Sequence, residues 1–289
     1  MIISASRRTD IPAFFSDWFI DRITEGFVQV KNPFNPQRVT RVGLCPEAVD
    51  CLVFWSKNPG NLMAKLDRLA AYRYYFLFTL TPYDRDLEPN LPPKEQLIDI
   101  FIALAGRIGR HQVIWRYDPI ILTGRLDSRY HEEHFSGLAR RLSPYTEKCI
   151  ISFLDMYPKC KHRLAGFAIH LPGAGEMLAL AEKLAAIARR YHLILETCAE
   201  EVDFTPLGIA PAHCIDLDLV NRLSGKNLSL PKDKRQREAC GCVQGVDIGA
   251  YNTCRHGCLY CYANAGSPGL TRGRALFDDF SDSLPKTFI

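Results

Sequence analysis

The sequence has no apolar stretch near the roughly 20 residues that a membrane-spanning helix needs. The triplet Ser6-Arg7-Arg8 resembles part of a twin-arginine signal, but Asp17, Asp21 and Arg22 interrupt the next stretch, so no export segment is read there. Low-complexity tracts are absent, as is any internal repeat beyond an alternation of strand-like and helix-like segments. No His-rich or multi-carboxylate pattern marks a hydrolytic metal centre, which weakens a hydrolase or nuclease reading. Neither charge dominates: 36 Lys plus Arg against 32 Asp plus Glu leave +4, weak support for a nucleic-acid partner. With 47% apolar and 24% charged residues the chain is neither disordered nor collagen-like, and its 289 residues suffice for a full α/β barrel.

What the sequence does have is cysteine. Seven of its 11 cysteines lie between Cys198 and Cys261. A small secreted disulfide scaffold would pack its cysteines into a far shorter chain. A large domain with one cysteine-dense end points instead to metal ligation. The expected location is cytoplasmic, where thiols stay reduced, with no membrane partner.

Six apolar runs read as strands: Ile2–Ser6, Cys51–Trp55, Tyr74–Leu80, Gln112–Tyr117, Cys149–Leu154 and Leu193–Thr197. Near-continuous apolarity suits parallel strands buried on both faces. Between them lie helical stripes, Leu62/Leu66/Leu69, Leu97/Phe101/Leu104/Ile108 and Met177/Leu180/Leu184/Ile187. The expectation is an α/β fold, a parallel (β/α) barrel, partial or complete and TIM-like, over residues 1–225. Residues 226–289 then form a cysteine-rich segment on the same domain. Leu207–Leu223 reads as a further helix, Lys232–Glu238 as a solvated helix or linker, and the tail with Gly266, Pro268, Gly269 and Gly273 as irregular.

The predicted strand ends carry polar residues: Arg7 and Asp10, Ser56 and Lys57, Thr79 and Thr81, Arg116 and Asp118, Ser152 and Asp155, Glu196 and Cys198. In parallel α/β folds this edge is the active face. Each charged residue there also has a plainer reading as a salt bridge.

Cys254, Cys258 and Cys261 form CxxxCxxC after a predicted strand, Val246–Tyr251. Three close thiolates can hold three irons of a cubane and leave the fourth open to a ligand. A structural zinc would want four ligands. Cys198, Cys214, Cys240 and Cys242 would make a complete four-ligand set, for an auxiliary iron–sulfur cluster or zinc, or they are ordinary buried thiols. Cys45, Cys51, Cys149 and Cys160 read as packing residues. His131 and His134, three apart, are expected on one exposed helix face, and neither they nor His170 and His213 show ligand spacing.

The segment Cys254-Arg-His-Gly-Cys-Leu-Tyr-Cys261 resembles the motif of the radical S-adenosylmethionine superfamily, including Tyr260 before the third cysteine. Tyr262-Ala-Asn264 is similar to the region just after the motif in spore photoproduct lyase-like members. The resemblance implies a [4Fe–4S] cluster on the three cysteines. It also implies S-adenosylmethionine on the open iron, a 5′-deoxyadenosyl radical that abstracts hydrogen, and an electron donor such as a flavodoxin or ferredoxin. Under it, Arg7 and Arg116 would take the cofactor's carboxylate, and Asp118, Asp155 or Glu196 its ribose or amine. Lys57 would serve cofactor or substrate, and Tyr260 would wall the cluster or touch the adenine. Superfamily members place this loop after their first strand, whereas Cys261 here lies 28 residues before residue 289. The implied order is therefore permuted, with Val246–Tyr251 pairing beside Ile2–Ser6. The superfamily's Gly-Gly-Glu motif is not evident. The whole chain also resembles bacterial proteins grouped as domain of unknown function 1848, through Ile3-Ser-Ala-Ser-Arg-Arg-Thr-Asp-Ile-Pro12, Trp55–Pro59, Arg116–Pro119 and the cysteine block. The substrate, whether small molecule, peptide or nucleic acid, is not legible. A structural or electron-transfer cluster without cofactor cleavage is the alternative function.

Overall fold

A computed structural model describes residues 1–264 of the chain. In order, the elements are β1 (Ile2–Ala5), α1 (Ile11–Phe14), α2 (Ser16–Glu25), β2 (Phe27–Asn32), β3 (Asn35–Gly43), β4 (Cys51–Ser56) and α3 (Gly60–Met63). Next come β5 (Tyr74–Thr79), α4 (Lys94–Ile108), β6 (Val113–Ile120), α5 (Ser128–Leu142), β7 (Lys148–Phe153), α6 (Pro158–Arg163) and α7 (Ala174–Arg190). The last are β8 (Ile194–Thr197), β9 (Ala210–Pro211), α8 (Leu217–Ser224) and β10 (Val246–Asp247).

All six strands expected from apolar runs are present. They belong to one eight-stranded sheet of order β10-β1-β4-β5-β6-β7-β8-β9, parallel throughout. Among the described residues no ladder joins β9 to β10, so the sheet is a large parallel one with two edges. Strand residues alternate between two apolar layers. Leu52, Phe54, Phe76, Phe78, Val113, Trp115 and Ile151 face Phe19, Leu97, Phe101, Phe135 and Leu184 of the helices. Ile2, Cys51, Val53, Tyr75, Leu77, Ile114 and Ile150 face a second layer built from residues 212–243, including Leu219 and Val220 of α8. Each such side chain contributes roughly 1.5–3 kcal/mol on burial, which holds the strand ends on one edge.

The short β10 pairs with β1 in parallel, Ile3 opposite Val246 and Ser4 opposite Asp247. The Asp247 carboxylate accepts from Ser4 Oγ and Ser6 Oγ, both at 2.7 Å, and from the Arg7 amide at 2.8 Å. A Cβ on Gly249 would lie 2.0 Å from Ser6 Oγ, so only glycine lets the chain leave β10 this close to β1. Strand pairing stops at Asp247 rather than reaching Tyr251.

Three expectations need correction. Leu207–Leu223 is not one helix: Pro211 breaks it, β9 intervenes, and Asp216 caps α8 by accepting from the Asp218 and Leu219 amides at 3.0 and 3.1 Å. The run Lys232–Glu238 is not a helix but a mostly exposed irregular segment, as the linker reading expects, pinned by Asp233, which is buried against Arg7, and by the bridge of Lys232 to Val243. His131 is fully buried on α5 while His134 is exposed, because His131 finds internal partners in Tyr117 and the Ile121 carbonyl. The hairpin β2–β3 has no counterpart among the expected elements. The tail around Gly266–Gly273 lies outside the described residues. No described helix is long and apolar enough to cross a membrane.

Candidate functional site

Parallel pairing brings the carboxyl ends of the strands to one edge, and the loop after β10 folds across it. Its anchor is Asp10 at the start of α1. One carboxylate caps α1 through the Ala13 amide (3.0 Å), accepts from Ser56 Oγ (2.7 Å) and the Lys57 amide (2.8 Å), and meets His256 Nε2 at 2.8 Å. His256 is inside the CxxxCxxC loop, so β1, β4 and the loop share one buried carboxylate. His256 Nδ1 is buried without a partner.

The rest of the loop is held by its backbone. Asn90 donates to the Arg255 and His256 carbonyls (2.9 and 3.3 Å), Leu259 donates to the Leu87 carbonyl (3.0 Å), and Arg163 donates to the Cys261 carbonyl (2.5 Å). Gly257 adopts φ +71°, and a Cβ there would strike Asn90. Cys254, Cys258 and Cys261 thus share one electrostatic neighbourhood, with Lys57 acting on Cys258 and Cys261 and Arg163 on Cys261. Burial pushes the Cys258 thiol up to about 12 despite the opposing pull of Lys57.

Beside Cys258 sits Glu88, 1% exposed. Its carboxylate takes Lys57 Nζ at 2.7 Å, Thr81 Oγ1 at 2.8 Å, the Tyr260 hydroxyl and Lys94 Nζ. Burial alone would raise this carboxyl, but Lys57 and Lys94 outweigh it and hold the pKa down to about 2. Lys57 also lies 5.4 Å from the Tyr260 ring centroid. Lys57 and Tyr260, expected to face cofactor or substrate, therefore spend their polar atoms on Glu88 and fix the cysteine loop to the sheet.

Arg116 and Asp118 lie within β6 rather than at its end, because pairing continues to Ile120; they form an ion pair, and Arg116 Nε is buried without a partner. Asp118 is close enough to act on both Lys57 and Cys198, so this pair lies between the two cysteine groups. Arg7 stacks 5.3 Å from the Trp55 ring, pairs with Asp233 at 3.6 Å, and leaves Nη2 buried and unpaired on the side of Cys242, Cys214 and Cys240. Asp155 is half-exposed and paired with Arg237. Glu196 stands apart: Lys148, which opens β7, holds it at 2.9 Å together with Asp216, below the strand ends. The structure thus gathers Arg7, Lys57, Arg116, Asp118 and Tyr260 about the cysteines, leaves Asp155 at the rim and removes Glu196.

The four remaining candidate thiols also converge. Cys198 and Cys214 stand 3.6 Å apart, sulfur to sulfur, and Cys242 lies close enough to Cys214 and Cys240 to act on both electrostatically. Those neighbours, with Arg7 beside them, draw the Cys242 thiol far down toward thiolate. Cys51, Cys149 and Cys160 are buried, whereas Cys45 is exposed. As they stand, no group of three or more His, Cys, Asp or Glu side chains among the described residues is disposed to hold a metal ion. The donor chemistry nevertheless fits one: a three-thiol loop flanked by cations suits a thiolate-bound cluster.

Sequence reasoning missed Glu88, Lys94 and Asp247, and did not see Asp10 as a hub. It also missed Glu200, whose carboxyl burial raises to about 7 although the Phe153 amide donates to it at 2.7 Å. Glu200 lines a cavity of about 250 Å³ with Thr197 and Phe204. Nothing in the spacing of these residues marks them, because their partners come from distant strands.

Residues 2–263 match the family described as "Domain of unknown function (DUF1848)". The chain belongs to this family. No curated protein matches this DUF1848 chain. Among solved structures, it is similar to a crystal structure described as a "putative alpha-L-fucosidase" from Bacteroides thetaiotaomicron, with 11% identity over 97% of this chain and 93% of that one. The TM-score of 0.30 is too low for that likeness to carry fold or activity across.

Proposed function

We propose that this DUF1848 protein is a radical S-adenosylmethionine enzyme on a (β/α) barrel, with Cys254, Cys258 and Cys261 as ligands of a [4Fe–4S] cluster. The observation that carries the reading is the placement of the motif. Its strand, β10, lies parallel beside β1, and its loop crosses the carboxyl edge of the sheet, as the permuted order requires. When bound, a reduced cluster would supply one electron to S-adenosylmethionine, the chemistry that cleaves its carbon–sulfur bond to methionine and a 5′-deoxyadenosyl radical.

The chain's own residues supply position and charge. Asp10 and Glu88 hold the loop through His256 and Tyr260. Lys57 keeps a positive charge beside Cys258, which favours a thiolate there. The unpaired Nε of Arg116 suits the cofactor's carboxylate, and Asp118 its amine or ribose hydroxyls. Buried aromatic rings of Tyr83 and Tyr260, 5.9 Å apart, keep water from one flank of the loop. A flavodoxin- or ferredoxin-type donor would supply the electron.

The test is anaerobic loading with iron and sulfide, then S-adenosylmethionine and a reductant. Wild type should release 5′-deoxyadenosine, and Cys258→Ala should lose both that product and most of the cluster's iron. A fully loaded wild type that leaves the cofactor intact refutes the reading.

A further inference from the structure

We infer that Cys198, Cys214, Cys240 and Cys242 form a site for a single tetrahedral zinc ion, distinct from the Cys254–Cys261 loop and independent of its function. The four thiols come from three segments. Cys198 directly follows β8, Cys214 lies just after β9, and Cys240-Gly-Cys242 is an irregular segment before β10. Main-chain bonds hold the segments together: Ala212 donates to the Thr197 carbonyl at 2.7 Å, and Val243 to the Ile215 carbonyl at 3.3 Å. A Cβ on Gly241 would meet the His213 ring at 2.9 Å, so glycine lets this segment lie against the Cys214 segment without displacing that ring. Cys214, Cys240 and Cys242 are 4%, 8% and 2% exposed, so an ion there would be shielded from water.

Sulfur spacing separates one ion from a cubane cluster. A tetrahedral zinc with metal–sulfur bonds of about 2.3 Å puts its ligands ~3.8 Å apart. Cys198 Sγ and Cys214 Sγ are 3.6 Å apart. A cubane carries its thiolates on four separate corners and holds them well beyond contact. The Cys242 sulfur accepts the Ile215 amide at 3.3 Å, the kind of backbone donor that supports a ligating thiolate. The four sulfurs do not close on one point as they stand, so an ion would draw them together. Four thiolates and one divalent ion carry a charge of −2, and two guanidiniums, Arg7 and Arg116, face them. Soft, closed four-thiolate sets select zinc over harder ions.

The experiment uses the full chain with Cys254→Ala, Cys258→Ala and Cys261→Ala combined, so that the loop cannot contribute. Purified from zinc-supplemented cells, it should hold one zinc per chain. Replacing that zinc with cobalt(II) should give the visible bands of tetrahedral four-thiolate cobalt. Adding Cys214→Ser should lower zinc affinity by more than about 100-fold, beyond the loss of an outer-shell partner. If that variant does not fold, the cobalt spectrum of the triple variant decides alone. Iron and sulfide retained in place of zinc, or no bound metal and no tetrahedral cobalt spectrum, would overturn the inference. Wild type that holds this zinc but leaves S-adenosylmethionine intact would refute only the Cys254 loop's function.

Discussion

Glu88→Gln keeps the size of the buried side chain and removes its charge. In the folded chain the carboxyl is held at about 2 against an ordinary 4.5. At 1.36 kcal/mol per pH unit, the ionised form gains about 3 kcal/mol from the folded surroundings. Gln mimics the protonated form, so the variant should lose about that much stability at neutral pH. The value agrees with the roughly 3–5 kcal/mol lost when a buried ion pair is broken on one side. Because the folded pKa is depressed, the contribution is complete above pH 4.5 and is lost as pH falls toward 2. Wild type should therefore show an acid limb across that window that is flatter in the variant. Urea unfolding monitored by tryptophan fluorescence reads this directly, since Trp115 is fully buried. A variant within about 0.5 kcal/mol of wild type at pH 7 would show that Glu88 and its lysines contribute no net stability, against the reasoning that the loop is clamped through them.

Groups away from the thiols give two further predictions. Burial holds His131 neutral, with a pKa lowered to about 4 from 6.5, so stability should be full above pH 6.5 and fall by about 3 kcal/mol as pH drops to 4. His131→Phe should remove most of that slope in urea midpoints measured from pH 7 to pH 4, and an unchanged slope would refute the assignment. Asp247→Ala leaves the Ser4 hydroxyl unpaired, at roughly 1–3 kcal/mol for a buried group, and takes the acceptor from the Ser6 hydroxyl, which keeps only the Arg8 amide as donor. It should speed hydrogen exchange at the Ile248 amide, which donates to the Ser4 carbonyl at 3.0 Å; exchange at the wild-type rate would mean β10 does not depend on that carboxylate.

The six long strands were legible because parallel strands buried on both faces are written as apolar runs. Phe76 and Leu77 face opposite layers yet are both fully buried. The strand before the cysteine motif was legible in place and neighbour but not in length, because Gly249 turns the chain where sequence alone allowed pairing to continue. The two thiol groups could be sorted by spacing. Their supports could not, since Glu88 draws its partners from Lys57, Lys94, Thr81 and Tyr260, as far as 172 residues away. Exposure was misjudged where polarity stood in for it, as for His131, whose ring finds two internal partners. Glu196 was placed on the active edge by strand order alone, and Lys148 and Asp216 hold it elsewhere.

The central claim is an iron left open by Cys254, Cys258 and Cys261. The electron paramagnetic resonance spectrum of the reduced, reconstituted protein tests it most directly, recorded before and after adding S-adenosylmethionine. An open iron predicts a changed spectrum on addition, absent in Cys258→Ala. A spectrum that the cofactor leaves unaltered in fully loaded wild type would contradict it.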